Sequence, residues 1–296
     1  MILVTGATGL NGGELIRLLS ARGVPVRALV RQAKKAEALA ALPGVEIVEG
    51  DMARPETLPA ALRGVDRAML ISSSDATMQE VQSNFIDAAK TAGVKHVVKL
   101  SGIMPEVDSP FRFARMHGEI EKKVERSGIA YTHLRAGEFM HSYFRQVPNI
   151  VAKGAFFLPM EEAKIASIDV GDIAEVAAIA LTTEGHEGKI YPLTGPEALS
   201  MAEVAEKLST ATGTPIRYVN VAPEQARQAQ IDAGVPEARL MPWPSCLPSA
   251  ARGRRPTFTQ TSRRSSEGAR PPSMSSQPGM PRSFVESNRP PKSDDQ

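Results

Sequence analysis

The chain has 296 residues, of which 42% are hydrophobic and 23% are charged, as in ordinary globular proteins. With 35 Lys and Arg against 33 Asp and Glu, the formal net charge is +2, too small for an evenly spread nucleic-acid-binding surface. The single cysteine excludes a disulfide framework and a cysteine-based zinc cluster. No apolar run approaches the roughly 20 residues that span a membrane, so we expect a cytoplasmic protein.

Short apolar segments alternate with segments of helical periodicity through most of the chain. The predicted strands are Ile2–Thr5, Val26–Val30, Val45–Glu49, Ala68–Ile71, His96–Leu100 and Tyr131–Leu134. The predicted helices between them are Leu10–Ala21, Lys34–Leu42, Glu56–Leu62, Met78–Ala92 and Phe113–Arg126. This alternation is typical of a parallel sheet covered by helices on both faces. We therefore predict an α/β fold with a Rossmann-type doubly wound parallel sheet.

The alternation becomes less regular near Gly154, and we place a domain boundary there. Residues 1–153 form the predicted Rossmann domain, and residues 154–237 form a small α/β C-terminal subdomain for the substrate. The elements predicted in this subdomain are helices at Val170–Leu181, Met201–Thr212 and Pro223–Ala233, and strands at Ile190–Leu193 and Ile216–Val221.

Residues 238–296 have a different composition, rich in Pro, Ser and Arg. From Met241 onward, Leu247 and Val285 are the only Leu, Ile or Val residues. Such a segment buries too little apolar area to offset the entropy of ordering it, so we predict an unstructured tail. A shifted reading frame near residue 238 is an alternative origin of this composition. Nucleic-acid binding by the tail is not expected.

A glycine-rich loop, VTGATGLNG at residues 4–12, joins the first strand to the first helix. Gly6 permits a tight turn, Gly9 lets the backbone approach a pyrophosphate, and Gly12 permits close packing of the helix on the strand. The helix N-terminus offers free N–H groups and a positive dipole end to phosphates. The loop therefore predicts a dinucleotide site, and a glycine-rich turn without a ligand is the alternative. The predicted contacts are Gly6, Thr8, Gly9, Leu10, Asn11 and Gly12.

The end of the second strand distinguishes two dinucleotides. An NAD-preferring site places Asp or Glu there to bind the ribose 2′-hydroxyl. This chain has Arg31 instead, followed by Lys34. A guanidinium binds a 2′-phosphate through charge-assisted hydrogen bonds, so we predict NADP(H) with Arg31 and Lys34 as contacts. A solvated basic helix start is the alternative.

Four further positions are predicted to contact the cofactor. Asp51 and Met52 follow the third strand, and the Asp51 carboxylate could accept a hydrogen bond from the adenine amine. Ser72 and Ser73 follow the fourth strand, where ligands bind in open α/β sheets. Serine clusters also terminate strands without binding anything, which is the alternative for this pair.

These segments resemble the NmrA-like family of atypical short-chain dehydrogenase/reductases over roughly residues 1–236. The resemblance is carried by the glycine loop, Arg31, Gly50-Asp51, and the segments HVVKLS at 96–101 and DVGDIA at 169–174. It implies a Rossmann-type fold and an NADPH or NADP cofactor. The family includes NADPH-dependent quinone reductases and NADP-sensing regulators, so the resemblance implies either kind of function.

The resemblance also shows a departure at the catalytic position. Typical short-chain reductases carry Tyr-x-x-x-Lys on one helix, and alignment on Glu121 puts Phe113 at the tyrosine and His117 at the lysine. Phenylalanine has no proton to give, which argues against alcohol dehydrogenation and favours hydride transfer to a quinone or similar electrophile. The candidate catalytic residues are Ser101, expected to hydrogen-bond a carbonyl oxygen, and His117, expected to bind ribose or relay a proton. A packing role is the alternative for His117.

Three functions therefore stay open: an NADPH-dependent reductase, a non-catalytic NADP(H) sensor acting through a regulatory protein partner, and a fold without a ligand. The reductase would take a small electrophile such as a quinone. A homodimer is also left open. We predict no metal site, because the histidines at 96, 133, 141 and 186 lack metal-ligand spacing.

Overall fold

The computed structural model describes residues 1–109 and 111–235. The tail predicted at residues 238–296 lies outside the described residues. The strands are β1 (Ile2–Val4), β2 (Val26–Val30), β3 (Val45–Glu49), β4 (Arg67–Leu70), β5 (His96–Gly102), β6 (Ala130–Ala136), β7 (Ala155–Leu158), β8 (Lys189–Leu193) and β9 (Arg217–Asn220).

The helices between these strands vary in length from one turn to four. They are α1 (Leu10–Ala21), α2 (Glu37–Ala40), α3 (Leu58–Ala61), α4 (Met78–Thr91), α5 (Arg112–Arg126), α6 (Val147–Lys153), α7 (Val170–Thr182), α8 (Met201–Thr212) and α9 (Pro223–Asp232). Short 3-10 segments at Ala33–Ala36 and Pro55–Thr57 precede α2 and α3. These segments replace the first turns of the two longer helices predicted there.

Seven strands form one sheet in the order β3-β2-β1-β4-β5-β6-β8, and every neighbouring pair is parallel. The order reverses direction at β1, which lies between β2 and β4. Ligands bind at the carboxyl edge beside such a switch point. The predicted Rossmann-type doubly wound sheet is confirmed.

Two apolar clusters cover the two faces of this sheet. On one face α1 packs against α7, with Leu15, Ile16 and Ala177 buried between helix and sheet. On the other face α4 packs against α5, and Phe85 and Ile120 are buried there. The inner strands β1, β2, β4 and β5 therefore bury side chains on both faces, as expected for a parallel sheet.

The described chain divides into two compact units, and each unit is built from two separate stretches of sequence. The first comprises Met1–Phe139 and Ile168–Gly195, and the second comprises Met140–Ser167 and the described chain from Pro196 onward. This division differs from the predicted boundary between residues 153 and 154. The reason is that β8 hydrogen-bonds to β6 and α7 packs against α1, so both elements join the Rossmann unit.

The second unit is a small α/β structure with one strand, one α-helix and a 3-10 segment at Met140–Gln146 that the sequence analysis missed. The missed strand and α-helix are β7 and α6, and β7 pairs in parallel with β9. Phe156 on β7 is buried against Met201 and Val204 of α8. Within the described residues, no helix is long and apolar enough to cross a membrane.

Two neighbouring side chains on β7 offer a test of the apolar core of the second unit. Phe156 is buried and Phe157 is only partly buried, because adjacent side chains on a strand point to opposite faces. We expect Phe156→Ala to lower the free energy of unfolding by about 3–5 kcal/mol, since it leaves a cavity. Phe157→Ala should cost less than about 2 kcal/mol. Urea denaturation of both variants checks this, and equal losses would contradict the assigned core face.

Candidate functional site

The glycine loop starts at the carboxyl end of β1, where Thr5 holds two strand ends together. The buried Thr5 hydroxyl donates to the Ile71 carbonyl and accepts from the Ile71 N–H, each at 2.7 Å. Residue 71 immediately follows β4. The ends of β1 and β4 are therefore fixed side by side, by a residue that the sequence analysis did not single out.

Glycine is required at two positions of the loop for different reasons. Gly6 has φ +59°, in the left-handed region that favours glycine. A Cβ added to Gly12 would lie 2.4 Å from the Gly6 carbonyl oxygen, because α1 packs directly on the loop backbone. These two glycines keep the loop folded tightly against the first turn of α1.

The start of α1 has features that fit an anionic ligand. Its N-cap is Gly9, so no side chain caps the helix, and its first turn contains no acidic residue. Leu10 is 49% exposed and Thr8 is exposed. The Asn11 Oδ1 atom is buried without a hydrogen-bond partner in the described part of the chain. The uncapped helix start and its positive dipole end are what a bound pyrophosphate requires, whereas the Asn11 Oδ1 atom is an acceptor and does not contribute to binding an anion.

The basic residues after β2 are exposed beside a carboxylate that sequence spacing did not reveal. Arg31 and Lys34 both point to solvent. The Glu49 side chain, at the end of β3, accepts a hydrogen bond from the Ala33 N–H at 2.7 Å. Glu49 therefore shapes the backbone of the segment that carries Arg31 and Lys34.

Asp51 and Met52 take part in local structure at the end of β3. One Asp51 carboxylate oxygen accepts from the Ala53 N–H at 2.9 Å, and its backbone N–H donates to the Thr57 hydroxyl. Met52 packs against the core cluster under α4, and its carbonyl accepts from the Asn84 amide. The predicted role of this pair in adenine binding stays a prediction.

Ser72 and Ser73 follow β4 at the same edge of the sheet. The Ser72 hydroxyl accepts a hydrogen bond from the Gln82 amide at 2.8 Å and donates to the Ser73 carbonyl at 3.2 Å. Ser73 is exposed. Ser72 is therefore held by α4, whereas Ser73 lies open to solvent.

A fully buried lysine lies in the middle of β5, two residues before Ser101, and was missed by the sequence analysis. The Lys99 ammonium donates to three acceptors: His117 Nδ1 at 3.0 Å, Ser101 Oγ at 3.1 Å and the Leu100 carbonyl at 3.3 Å. Ser101 Oγ lies 3.5 Å from the same His117 nitrogen. The structure therefore brings together the two predicted catalytic residues, with Lys99 linking them. The sequence did contain a signal for this cluster: Lys99 and Ser101 lie two positions apart in a strand that is otherwise predicted to be buried.

Burial changes the protonation of this cluster. It lowers the pKa of Lys99 to about 7, with Glu121 opposing and Arg135 adding to the shift. Burial and, to a smaller extent, the nearby Lys99 charge together lower the pKa of His117 to about 3. His117 is therefore neutral near pH 7, and Lys99 titrates close to that pH.

Glu121 and Arg135 form an ion pair beside Lys99. Arg135 donates two hydrogen bonds to the Glu121 carboxylate, at 2.7 and 3.2 Å. Burial pushes the pKa of Glu121 up, but the Arg135 hydrogen bond, the His133 charge and the Ser101 hydrogen bond together bring it below its usual value. Glu121 therefore stays ionised, and Ser101 links this pair to Lys99.

His133, Glu121 and Glu125 each place one ligand-type atom within 4.8 Å of the others. The spacing argument, which predicted no metal site, did not foresee this grouping. Both Glu121 oxygens are already bound by Arg135, and His133 Nε2 lies 3.3 Å from Glu125. The grouping is accounted for by the Glu121–Arg135 ion pair and a hydrogen bond between His133 and Glu125, because burial lowers the pKa of His133 to about 4 and leaves it neutral near pH 7.

Phe113 lies in the first turn of α5. Its ring is partly buried against the core cluster of that face, and the Arg112 guanidinium stacks 4.9 Å from its centroid. This side chain packs and has no group to exchange a proton.

These strand ends together define the class of protein. A glycine loop after β1, basic residues after β2 and a polar cluster after β5 all lie at the carboxyl edge of a doubly wound sheet, which is the design of a Rossmann-type dinucleotide-binding protein. A profile of the NmrA-like family matches residues 1–241, and the chain belongs to this family.

Several characterised proteins are similar to this chain. An NAD(P)H azoreductase from Xenophilus azovorans is 47% identical over 238 residues, covering 80% of this chain and 83% of that protein. The crystal structure of an NADPH-dependent quinone oxidoreductase from Escherichia coli, complexed with NADPH, has a TM-score of 0.73 and 36% identity, over 80% of this chain and 84% of that one. The triphenylmethane reductase from Citrobacter sp., complexed with NADP(H), has a TM-score of 0.72 and 32% identity, over 80% and 85%.

The buried lysine predicts a pH-dependent stability. The unfolded chain keeps the Lys99 pKa near 10.5, whereas the folded chain holds it at about 7. Between these values the unfolded state binds the extra proton, so the free energy of unfolding rises with pH through this window and falls as pH drops to 7. We expect Lys99→Met to be more stable than the wild type near pH 7. This advantage should shrink by about 1.4 kcal/mol per pH unit between pH 7.5 and 9.5.

Urea denaturation at several pH values measures this difference. The matched control is Lys122→Met, which removes an exposed lysine from α5. Its stability should run parallel to that of the wild type. A Lys99→Met advantage that does not change with pH would contradict the burial of a titrating amine.

Proposed function

We propose that this protein binds NADPH at the carboxyl edge of its sheet and reduces a small electrophilic acceptor, such as a quinone, by hydride transfer. The observation that carries the proposal is the polar cluster of Lys99, Ser101 and His117 at the end of β5. In the sheet, β5 pairs with β4, whose end is tied to the glycine loop. The cofactor loop and the reactive side chains therefore lie at the same edge of the sheet, separated by one strand, β4.

The cofactor assignment rests on the fit of the loop and on the relatives. The loop residues Gly6, Thr8, Gly9, Leu10, Asn11 and Gly12 would hold the pyrophosphate. Arg31 and Lys34 would bind the 2′-phosphate. Asp51 and Met52 would lie at the adenine, and Ser72 and Ser73 at the ribose and nicotinamide. The solved relatives described above are complexes with NADPH or NADP(H), which supports this choice over NAD.

When bound, NADPH supplies the hydride. The chain's own residues then bind and orient the acceptor. The Ser101 hydroxyl is engaged by Lys99 and Glu121, so it holds the cluster in place. His117 is placed to hydrogen-bond an acceptor oxygen or nitrogen, and its neutral state lets it donate one N–H without carrying charge. Phe113 supplies no tyrosine-like acid, which fits acceptors that are themselves electrophilic rather than simple ketones or alcohols.

The sensor function remains the second candidate, but the polar cluster favours catalysis. A protein that only binds NADP(H) has no need of a buried amine beside a histidine and without a carboxylate bonded to it, and such a group costs stability. Perturbed groups of this kind concentrate at catalytic sites. The three relatives named above are all named as reductases or oxidoreductases, which supports the same choice.

Arg31 is expected to select NADPH over NADH. Loss of one charge-assisted hydrogen bond, worth about 1.5–3 kcal/mol, should weaken NADPH binding in Arg31→Ala by about 10- to 150-fold. NADH binding should change less than twofold. Isothermal titration of both nucleotides measures this, with Arg63→Ala as the control, because Arg63 is exposed in the turn that enters β4. Equal losses for NADPH and NADH would remove the 2′-phosphate role from Arg31.

The reductase proposal is tested by following NADPH absorbance with three acceptors: a benzoquinone, an azo dye and a triphenylmethane dye. Acceptor-dependent oxidation of NADPH by at least one of them is the expected result. Tight NADPH binding without oxidation by any of these acceptors would replace the reductase by the sensor. The absence of binding by NADPH and NADH would leave the fold without its expected ligand.

A further inference from the structure

Lys99 has a role that neither the glycine loop nor the acceptor contacts require. We propose that Lys99 supplies the proton that His117 donates to the reduced acceptor, an inference that rests on the proposed reductase function. Lys99 is fully buried and reaches the acceptor only through His117. It is therefore a positioning and proton-supplying residue rather than a catalytic one.

The contact between Lys99 and His117 decides the tautomer of the ring. A lysine ammonium has donors and no acceptor, so the facing Nδ1 atom must accept. The neutral ring must then carry its proton on Nε2. Among residues 1–109 and 111–235 no hydrogen-bond partner is found for His117 Nε2, and the residue is only partly buried. The structure thus presents a ready N–H donor at the end of β5.

Close approach of the backbone keeps the ring in this position. A Cβ added to Gly102 would lie 3.0 Å from His117 Cδ2 and 3.4 Å from Nε2. A Cβ added to Gly118, the next residue on α5, would lie 2.9 Å from the backbone at Glu106 and Val107. Glycine at 102 and 118 therefore lets α5 lie close enough to β5 for Lys99 to reach the histidine.

The groups around Lys99 make its proton available near neutral pH. Ser101 faces it from β5, His117 and Glu121 from α5, and His133 and Arg135 from β6. The Glu121 charge is matched by Arg135 at 2.7 Å, so it provides little net attraction for the ammonium. Burial lowers the pKa of Lys99 to about 7, which is the range in which an amine both holds and releases a proton.

Hydride and proton add to the two ends of the acceptor's double bond. In an azo acceptor one nitrogen forms an N–H bond with the hydride, and the electron pair of the broken N=N π bond passes to the second nitrogen. That nitrogen takes the proton from His117 Nε2 while Nδ1 takes a proton from Lys99 Nζ. The azo group becomes a hydrazine, the histidine stays neutral as the other tautomer, and Lys99 becomes a neutral amine. After the product leaves, Nε2 takes a proton from solvent and Nδ1 returns its proton to Lys99. These two transfers restore the starting protonation state.

This relay matters only for acceptors that need a proton. An azo compound requires one proton for each hydride. A cationic triphenylmethane dye requires none, because the hydride neutralises its carbon centre. Removal of Lys99 should therefore separate the two activities, whereas a lysine that only supports packing would affect both alike.

The first experiment compares both acceptors in Lys99→Met, Lys99→Arg and the exposed control Lys122→Met. We expect Lys99→Met to lose about 100-fold in kcat for azo reduction and less than threefold for the triphenylmethane dye. Lys99→Arg should also lose azo reduction, because a guanidinium donates a hydrogen bond to Nδ1 but does not release its proton. Lys122→Met should match the wild type. Equal losses for both acceptors, or full azo activity in Lys99→Met, would overturn the inference.

The pH dependence of the wild type gives a test that needs no variant to fold. Azo reduction should fall as pH rises above about 7, where Lys99 loses its proton, and reduction of the triphenylmethane dye should not. The falling limb should be absent in Lys99→Met. A fall in activity above about pH 7 with both acceptors would contradict the relay.

The tautomer is read directly by ¹⁵N NMR of the histidine ring without cofactor. We expect the Nε2–H form in the wild type and in Lys99→Arg, and a mixture in Lys99→Met. An Nδ1–H form in the wild type would overturn the inference whatever the activity.

If none of the tested acceptors supports NADPH oxidation by the wild type, the proposed function fails and the relay fails with it. If the wild type is active and Lys99→Met reduces both acceptors normally, the relay fails alone.

Discussion

The parallel hydrogen bonding of seven strands is the constraint on which the site depends. Because all of these strands run in the same direction, every loop that follows a strand emerges at one edge. The glycine loop, Arg31, Ser72 and Ser101 are separated by up to 95 residues of sequence yet share that edge. Thr5 strengthens the arrangement where it matters most, since its hydroxyl joins the end of β1 to the residue after β4.

Glu121 and Lys99 are both buried near this edge, but only one of them has a partner of opposite charge bonded to it. Glu121 is buried with Arg135, so its charge is compensated and its pKa lies below the usual value. Lys99 is buried without a carboxylate of its own, and its three hydrogen bonds go to neutral acceptors. The first arrangement favours a rigid strand–helix contact, whereas the second leaves a group poised between two protonation states. Proteins accept such local conflicts chiefly where function needs them.

The predictions that held depend on local patterns. The bounds of α1, β2, β3 and α8 match the structure residue for residue, because periodicity, Gly positions and a Ser200–Glu203 capping box lie within the segments themselves. The helices predicted at 34–42 and 56–62 are shorter and begin with 3-10 turns. The assignment of β8 to a C-terminal subdomain differs from the structure because its partner, β6, lies more than 50 residues away in sequence.

The sequence by itself determined the doubly wound class, the glycine loop and the basic residues that follow β2. These features depend on side-chain periodicity and on backbone freedom over a few residues, which a single sequence displays. Only the tertiary structure decided that Lys99 meets His117, that Glu121 is paired with Arg135, and that β8 completes the main sheet. Each of these contacts joins residues from different elements, so it exists only after α5 and β6 have packed on β5 and excluded water between them.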